Sequence, residues 1–173
     1  VREGRQKMLL AILEKLPQDL KGARILDAGC GTGVLSRMLD ERGAEVVGVD
    51  ISDKLIEVAK NRSGSNSNIE YFSGDMKEES FGNFDYIIAM DSLIHYSTED
   101  VMSSLVDFSK RANISVFFTI IPSTFVLRTK LHLGKFFPKS ERSPEVVPIG
   151  WRQLRKLEAL EVNASLEKIK RIK

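Results

Sequence analysis

ILDAGCGTG, residues 25–33, decides how the rest of this 173-residue chain reads. Ile25 and Leu26 end an apolar strand, three glycines follow at alternate positions, and Val34 opens a helix over residues 34–39. Gly29, Gly31 and Gly33 allow a tight turn and let the backbone lie bare against a small ligand at a helix N-terminus. A dinucleotide fingerprint requires G-x-G-x-x-G/A, and its third position here is Val34. Asp27 stands just ahead of the loop. A carboxylate about 5 Å from a phosphate is repelled by roughly 3 kcal/mol at an effective dielectric of about 20. The loop therefore suits a ligand that carries cations and no phosphate.

Working outward, strands alternate with amphipathic helices. Met8, Leu9, Ile12, Leu13 and Leu16 recur at helical spacing before Pro17, which predicts a helix over residues 4–16. Residues 24–28 read as strand 1, and Val34, Leu35, Met38 and Leu39 form the stripe of the next helix, closed by Gly43. Residues 44–49 read as strand 2, ending in Asp50, with Ser52 capping a helix that carries Leu55, Ile56 and Ala59. Strand 3 is read at 69–72, strand 4 at 84–90 and strand 5 at 114–121, with Ser97 and Asp100 as a capping box between the last two. This alternation predicts one α/β domain over residues 1–173: a doubly wound, mostly parallel sheet with helices on both faces. Ligands of such sheets bind beyond the carboxyl ends of the strands. Asp50, Asp75 and Asp91 all fall at that edge beside the glycine loop.

Composition narrows the functional classes. A net charge of +2 is too small to mark a nucleic-acid binder. The single cysteine, Cys30, excludes an internal disulfide and fits a reducing, cytoplasmic setting. It reads as a small apolar filler in the loop, since nothing near it in sequence would depress its pKa. No His/Cys cluster suggests a protein metal site. No apolar run approaches the roughly 20 residues needed to span a bilayer.

D-x-G-x-G-x-G after a first strand resembles class I S-adenosylmethionine-dependent methyltransferases, and the resemblance runs from Ile25 through Ile121. S-adenosylmethionine carries a sulfonium and an ammonium and no phosphate, as the charge argument requires. On this reading Asp27, Gly29, Cys30, Gly31 and Gly33 form the cofactor loop. Asp50, about 20 residues on, accepts from both ribose hydroxyls. Ile51 packs on the adenine face, Gly74, Asp75 and Met76 meet the adenine edge, and Asp91 meets the methionine part. A seventh, antiparallel strand would normally close this fold; none is read after a sixth at 160–172, so the final strand is expected to be missing.

A closer resemblance rests on MDSLIHY at 90–96, REGRQ at 2–6, FVLRTKLHLGKFFP at 125–138 and VVPI at 146–149. Together these look like the magnesium-protoporphyrin O-methyltransferases of (bacterio)chlorophyll synthesis. That resemblance implies methyl transfer to a propionate carboxylate of magnesium-protoporphyrin IX. The porphyrin-binding subunit of magnesium chelatase is an implied partner, and peripheral membrane contact is also implied. His95 and Tyr96 are the expected catalytic pair, His95 orienting the acceptor carboxyl, taking its proton or touching the porphyrin magnesium. Residues 122–148 would form an inserted lid, in which Leu133, Phe136 and Phe137 cover the ring and Arg128 or Arg142 holds the second propionate. Two other readings stay open. One is a methyltransferase for another small molecule such as a quinone, and the other is a catalytically silent cofactor-binding scaffold. RNA methylation is disfavoured, because MDSLIHY stands where N-P-P-Y or D-P-P-Y would.

Overall fold

The computed structural model describes residues 2–120. In chain order the elements are α1 (Arg2–Lys15), β1 (Arg24–Ala28), α2 (Val34–Asp40), β2 (Glu45–Asp50), α3 (Asp53–Arg62), β3 (Ile69–Ser73), β4 (Phe84–Ala89), α4 (Thr98–Arg111) and β5 (Ala112–Phe118). The five strands are all parallel, in the order β3-β2-β1-β4-β5. Strand order reverses between β1 and β4, so the crevice of this sheet opens above those two strands.

Alternate residues of each strand serve opposite faces. Ile25, Val46, Tyr86 and Ile88 pack with Leu9 and Leu13 of α1 and Leu35 and Leu39 of α2. Leu26, Ala28, Val47, Val49, Ile87 and Ala89 pack with Val101, Leu105 and Phe108 of α4. Covering both faces is what makes these strands read as nearly continuous apolar runs. An irregularity between Phe84 and Tyr86 shifts the alternation, which puts Phe84 on the α4 face with Ile87. Two helix entries follow their predicted caps: Ser52 Oγ accepts from Leu55 N at 3.4 Å, and Ser97 Oγ accepts from Asp100 N at 3.1 Å.

Three details depart from the sequence reading. Val34 and Leu55, read as stripe residues, are 45% and 37% exposed, because each lies in a helix's first turn at the open carboxyl edge of the sheet. Strand β5 starts at Ala112, two residues earlier than read, since the chain passes from Arg111 of α4 into the strand with no connector. Asn113 then donates to Asp85 at 3.2 Å, and Ile114 stays 49% exposed. The expected lid and the strand read at 160–172 lie outside the described residues.

Candidate functional site

The three loop glycines take left-handed φ values of 83°, 55° and 69°, at Gly29, Gly31 and Gly33. Their surroundings separate their roles. A Cβ on Gly29 would sit 2.3 Å from Ser92 Cβ, and one on Gly33 would sit 2.3 Å from the Tyr71 hydroxyl. Both glycines are therefore required by the protein's own packing. A Cβ on Gly31 would meet nothing within 4 Å. The middle of the loop faces open space at the switch point, which is where a ligand lying against bare backbone belongs.

Asp50 ends β2 and fastens this loop from behind. Its Oδ2 accepts from Gly31 N at 2.9 Å, its Oδ1 accepts from Ser52 N at 2.9 Å, and its carbonyl accepts from Gly74 N at 3.0 Å. A carboxylate has about four lone-pair sites, so two remain for a ligand's hydroxyls. Ile51 beside it is 84% exposed, an apolar side chain presented to the same edge. Past β3, Asp75 is exposed and accepts from Lys77 N at 2.9 Å, while the Met76 side chain is buried in the α4-side core. Met76 can thus offer a ligand its backbone only.

Asp27 and Cys30 lie beneath the loop. Asp27 is 2% exposed and accepts from Ser36 Oγ at 2.6 Å. Burial pushes its carboxyl up to about 6, a rise that the Ser36 hydrogen bonds oppose and the charge of Asp50 adds to. Burial also pushes the Cys30 thiol up, with Asp27 and Asp50 adding to the effect, so Cys30 is a filler and no nucleophile.

The loop after β4 carries the remaining site residues. Asp91 has φ 58°, the only positive value at a non-glycine among the described residues. Its N–H donates to Thr119 Oγ1 at 2.7 Å and its carboxylate pairs with Arg5 of α1 at 3.2 Å. A short 3-10 turn, Leu93–His95, then leaves His95 exposed and Tyr96 half-buried against the α4-side core. Burial raises the Tyr96 phenol above its ordinary 10, and Asp75, Asp100 and Asp50 add to the rise, so it remains a neutral hydrogen-bond donor. Asp50 ends β2, Asp75 follows β3 and Tyr96 follows β4, so all three lie along the carboxyl rim of the sheet.

Ser92, which the sequence delivers with Asp91, His95 and Tyr96 beyond the end of strand 4, presses on Gly29. Two contributors escaped the sequence reading: Arg5, which pairs with Asp91, and Tyr71, which lies under Gly33 with its hydroxyl 3.1 Å from Ser63 Oγ. A signal existed for Tyr71: Gly48 interrupts a valine-rich strand, and a Cβ there would lie 2.7 Å from the Tyr71 ring. Glycine inside a strand marks such close approach. Arg128, Leu133, Phe136, Phe137 and Arg142 lie outside the described residues. No group of three or more His, Cys, Asp or Glu among the described residues is placed to hold a metal ion.

An open parallel sheet in this order, with a bare glycine loop at the switch point and an acidic residue closing the second strand, is the framework of class I methyltransferases. A methyltransferase-domain profile matches residues 25–112, and a profile for the magnesium-protoporphyrin IX methyltransferase C-terminus matches residues 89–173. The magnesium-protoporphyrin O-methyltransferase of Rhodobacter capsulatus is 45% identical over 150 residues, which cover 86% of this chain and 67% of that protein. Its Synechocystis counterpart is 31% identical over 143 residues, 80% of this chain and 62% of that protein. The crystal structure of magnesium protoporphyrin IX methyltransferase from Synechocystis PCC 6803 with bound SAH aligns at a TM-score of 0.73 and 25% identity, covering 91% of this chain and 70% of that one. The chain belongs to the magnesium-protoporphyrin O-methyltransferase family. It spans about two thirds of the length of these relatives.

Proposed function

We propose that this chain binds S-adenosylmethionine across the carboxyl edge of its sheet and transfers the methyl group to a propionate carboxylate of magnesium-protoporphyrin IX, giving the monomethyl ester. The observation that carries the cofactor half is the open space over Gly31 with the Asp50 carboxylate fastened directly behind it. Family membership supports the porphyrin half. When bound, S-adenosylmethionine supplies an electrophilic methyl group on a sulfonium. Asp50 would hold the ribose hydroxyls, Ile51 the adenine face, and Asp75 with the Met76 backbone the adenine edge.

A propionate resembles a Glu side chain, whose ordinary pKa is near 4.3, so the acceptor is already an anion at neutral pH. No strong base is needed. The work left to the chain is to align one carboxylate oxygen and to keep water away while charge is neutralised. Tyr96 suits the first task, because its phenol stays protonated and can donate to an anion. His95, exposed on the same rim, would orient the carboxyl. The segment at 125–142 interleaves apolar and basic side chains, a composition that suits a flat apolar ring with anionic substituents. It would equally suit taking the ring from a membrane surface or from a chelatase porphyrin-binding subunit. Among the described residues no helix is long and apolar enough to cross a membrane.

The test is incubation with methyl-labelled S-adenosylmethionine and magnesium-protoporphyrin IX, following label into an ester that mild alkali removes. Label appearing in a quinol and absent from porphyrin would return the chain to the other small-molecule reading. Tight cofactor binding with no turnover on any acceptor would favour the scaffold.

A further inference from the structure

The loop after β4 contains a hydroxyl that local structure does not use. Ser92 stands at the entry of a helical turn, as Ser52 and Ser97 do, yet its side chain makes no capping hydrogen bond. Its Oγ is enclosed and has no hydrogen-bond partner among the described residues. An enclosed hydroxyl without a partner is destabilising, so such a group in a folded chain calls for an explanation. The residue before it, Asp91, is held at a left-handed φ of 58°, a second local cost. Both costs fall at the switch point, where Ser92 closes on Gly29 so tightly that only a glycine fits opposite it.

We infer that Ser92 is a further cofactor-contacting residue, whose hydroxyl takes its missing partner from the charged amino-acid end of S-adenosylmethionine or its product. The inference rests on the cofactor reading above. The nucleoside end is already provided for at the carboxyl ends of β2 and β3, by Asp50, Ile51 and Asp75. The remaining end of the ligand must then lie over β1 and β4, where Gly29 and Ser92 meet. A serine hydroxyl can donate to the ligand's carboxylate or accept from its ammonium, and either bond is charge-assisted.

The inference sets a pattern that a purely structural serine would not give. Ser92→Ala should leave the ligand-free melting temperature unchanged or slightly higher, since it removes an unsatisfied group. Its affinity for S-adenosylhomocysteine should fall about ten-fold. Affinity for 5′-methylthioadenosine, which keeps the nucleoside and lacks the amino-acid end, should be unchanged. Ser92→Cys, nearly the same shape with a poor hydrogen-bonding atom, should fall between wild type and alanine. Equal weakening of both ligands would show that Ser92 acts through the glycine loop, and unchanged affinity in either variant would make the hydroxyl merely buried; each result overturns the inference. A drop in the ligand-free melting temperature would overturn it too, by revealing a structural partner. If wild type binds neither compound, the cofactor reading itself fails first.

Discussion

Asp27 keeps a carboxyl where a charge is poorly solvated, and that has a measurable sign. Its pKa rises from 3.8 to about 6 on folding. Between those values the native chain holds a proton that the unfolded chain has released, so stability falls as pH rises through the window. The stabilisation is complete below the unfolded value and gone above the folded one, and amounts to about 3 kcal/mol at most. Asp27→Asn can still accept from Ser36, so its melting temperature should vary less between roughly pH 4 and 7 than that of wild type. Parallel profiles for the two proteins would mean that Asp27 titrates normally. Asp50 is half-buried, and its two carboxylate oxygens each accept one backbone amide and keep a lone pair free. Asp50→Ala should weaken S-adenosylhomocysteine at least ten-fold by calorimetry, since charge-assisted bonds contribute about 1.5–3 kcal/mol each. His95→Ala should lower turnover more than cofactor affinity, because His95 sits past β4, away from the nucleoside. Full turnover at saturating substrate would make it a surface histidine.

At the scale of the element, the glycine loop makes the sharpest forecast. Gly31→Ala meets open space and should lose only about 1–2 kcal/mol for the left-handed backbone, yet it places a methyl group where the ligand would lie. Its melting temperature should therefore shift little without ligand and respond poorly to added S-adenosylhomocysteine. Gly33→Ala runs into the Tyr71 hydroxyl at 2.3 Å and should unfold more easily even without ligand. Scanning calorimetry with and without ligand separates the two. The strands themselves were largely legible: residues 24–28 were bounded correctly, because a strand buried on both faces stands out from its polar flanks. Periodicity did less well at helix starts. Val34 and Leu55 are as apolar as their buried neighbours, and only the three-dimensional position of a first turn at the sheet's edge tells them apart. The start of β5 was misplaced for a related reason: no glycine, proline or polar turn marks the passage from Arg111 to Ala112.

For the molecule as a whole, the fold could be read because it repeats one local unit, a strand followed by a crossover helix. The positions of the glycine loop and Asp50 follow from that unit, the one after β1 and the other at the end of β2. Partnerships between distant segments do not. Arg5 meets Asp91, and Ser92 meets Gly29, only after the sheet has been assembled. A second ligand as large as a porphyrin also belongs to this scale. Replacing Arg128 and Arg142 by Gln should weaken magnesium-protoporphyrin binding, read from its absorption shift, and leave S-adenosylhomocysteine affinity intact. Loss of both affinities would place the two arginines in the framework, and loss of membrane association alone would make them lipid contacts. Asp50, finally, gathers amides from three stretches that are far apart in the chain, those of Gly31 and Ser52 on its carboxylate and that of Gly74 on its carbonyl. Removing the carboxylate would free the first two amides and spare the third. Solvent deuterium should then enter an Asp50→Ala protein early at Gly31 and Ser52 while Gly74 keeps its wild-type rate, a two-of-three signature of one side chain acting as the clasp.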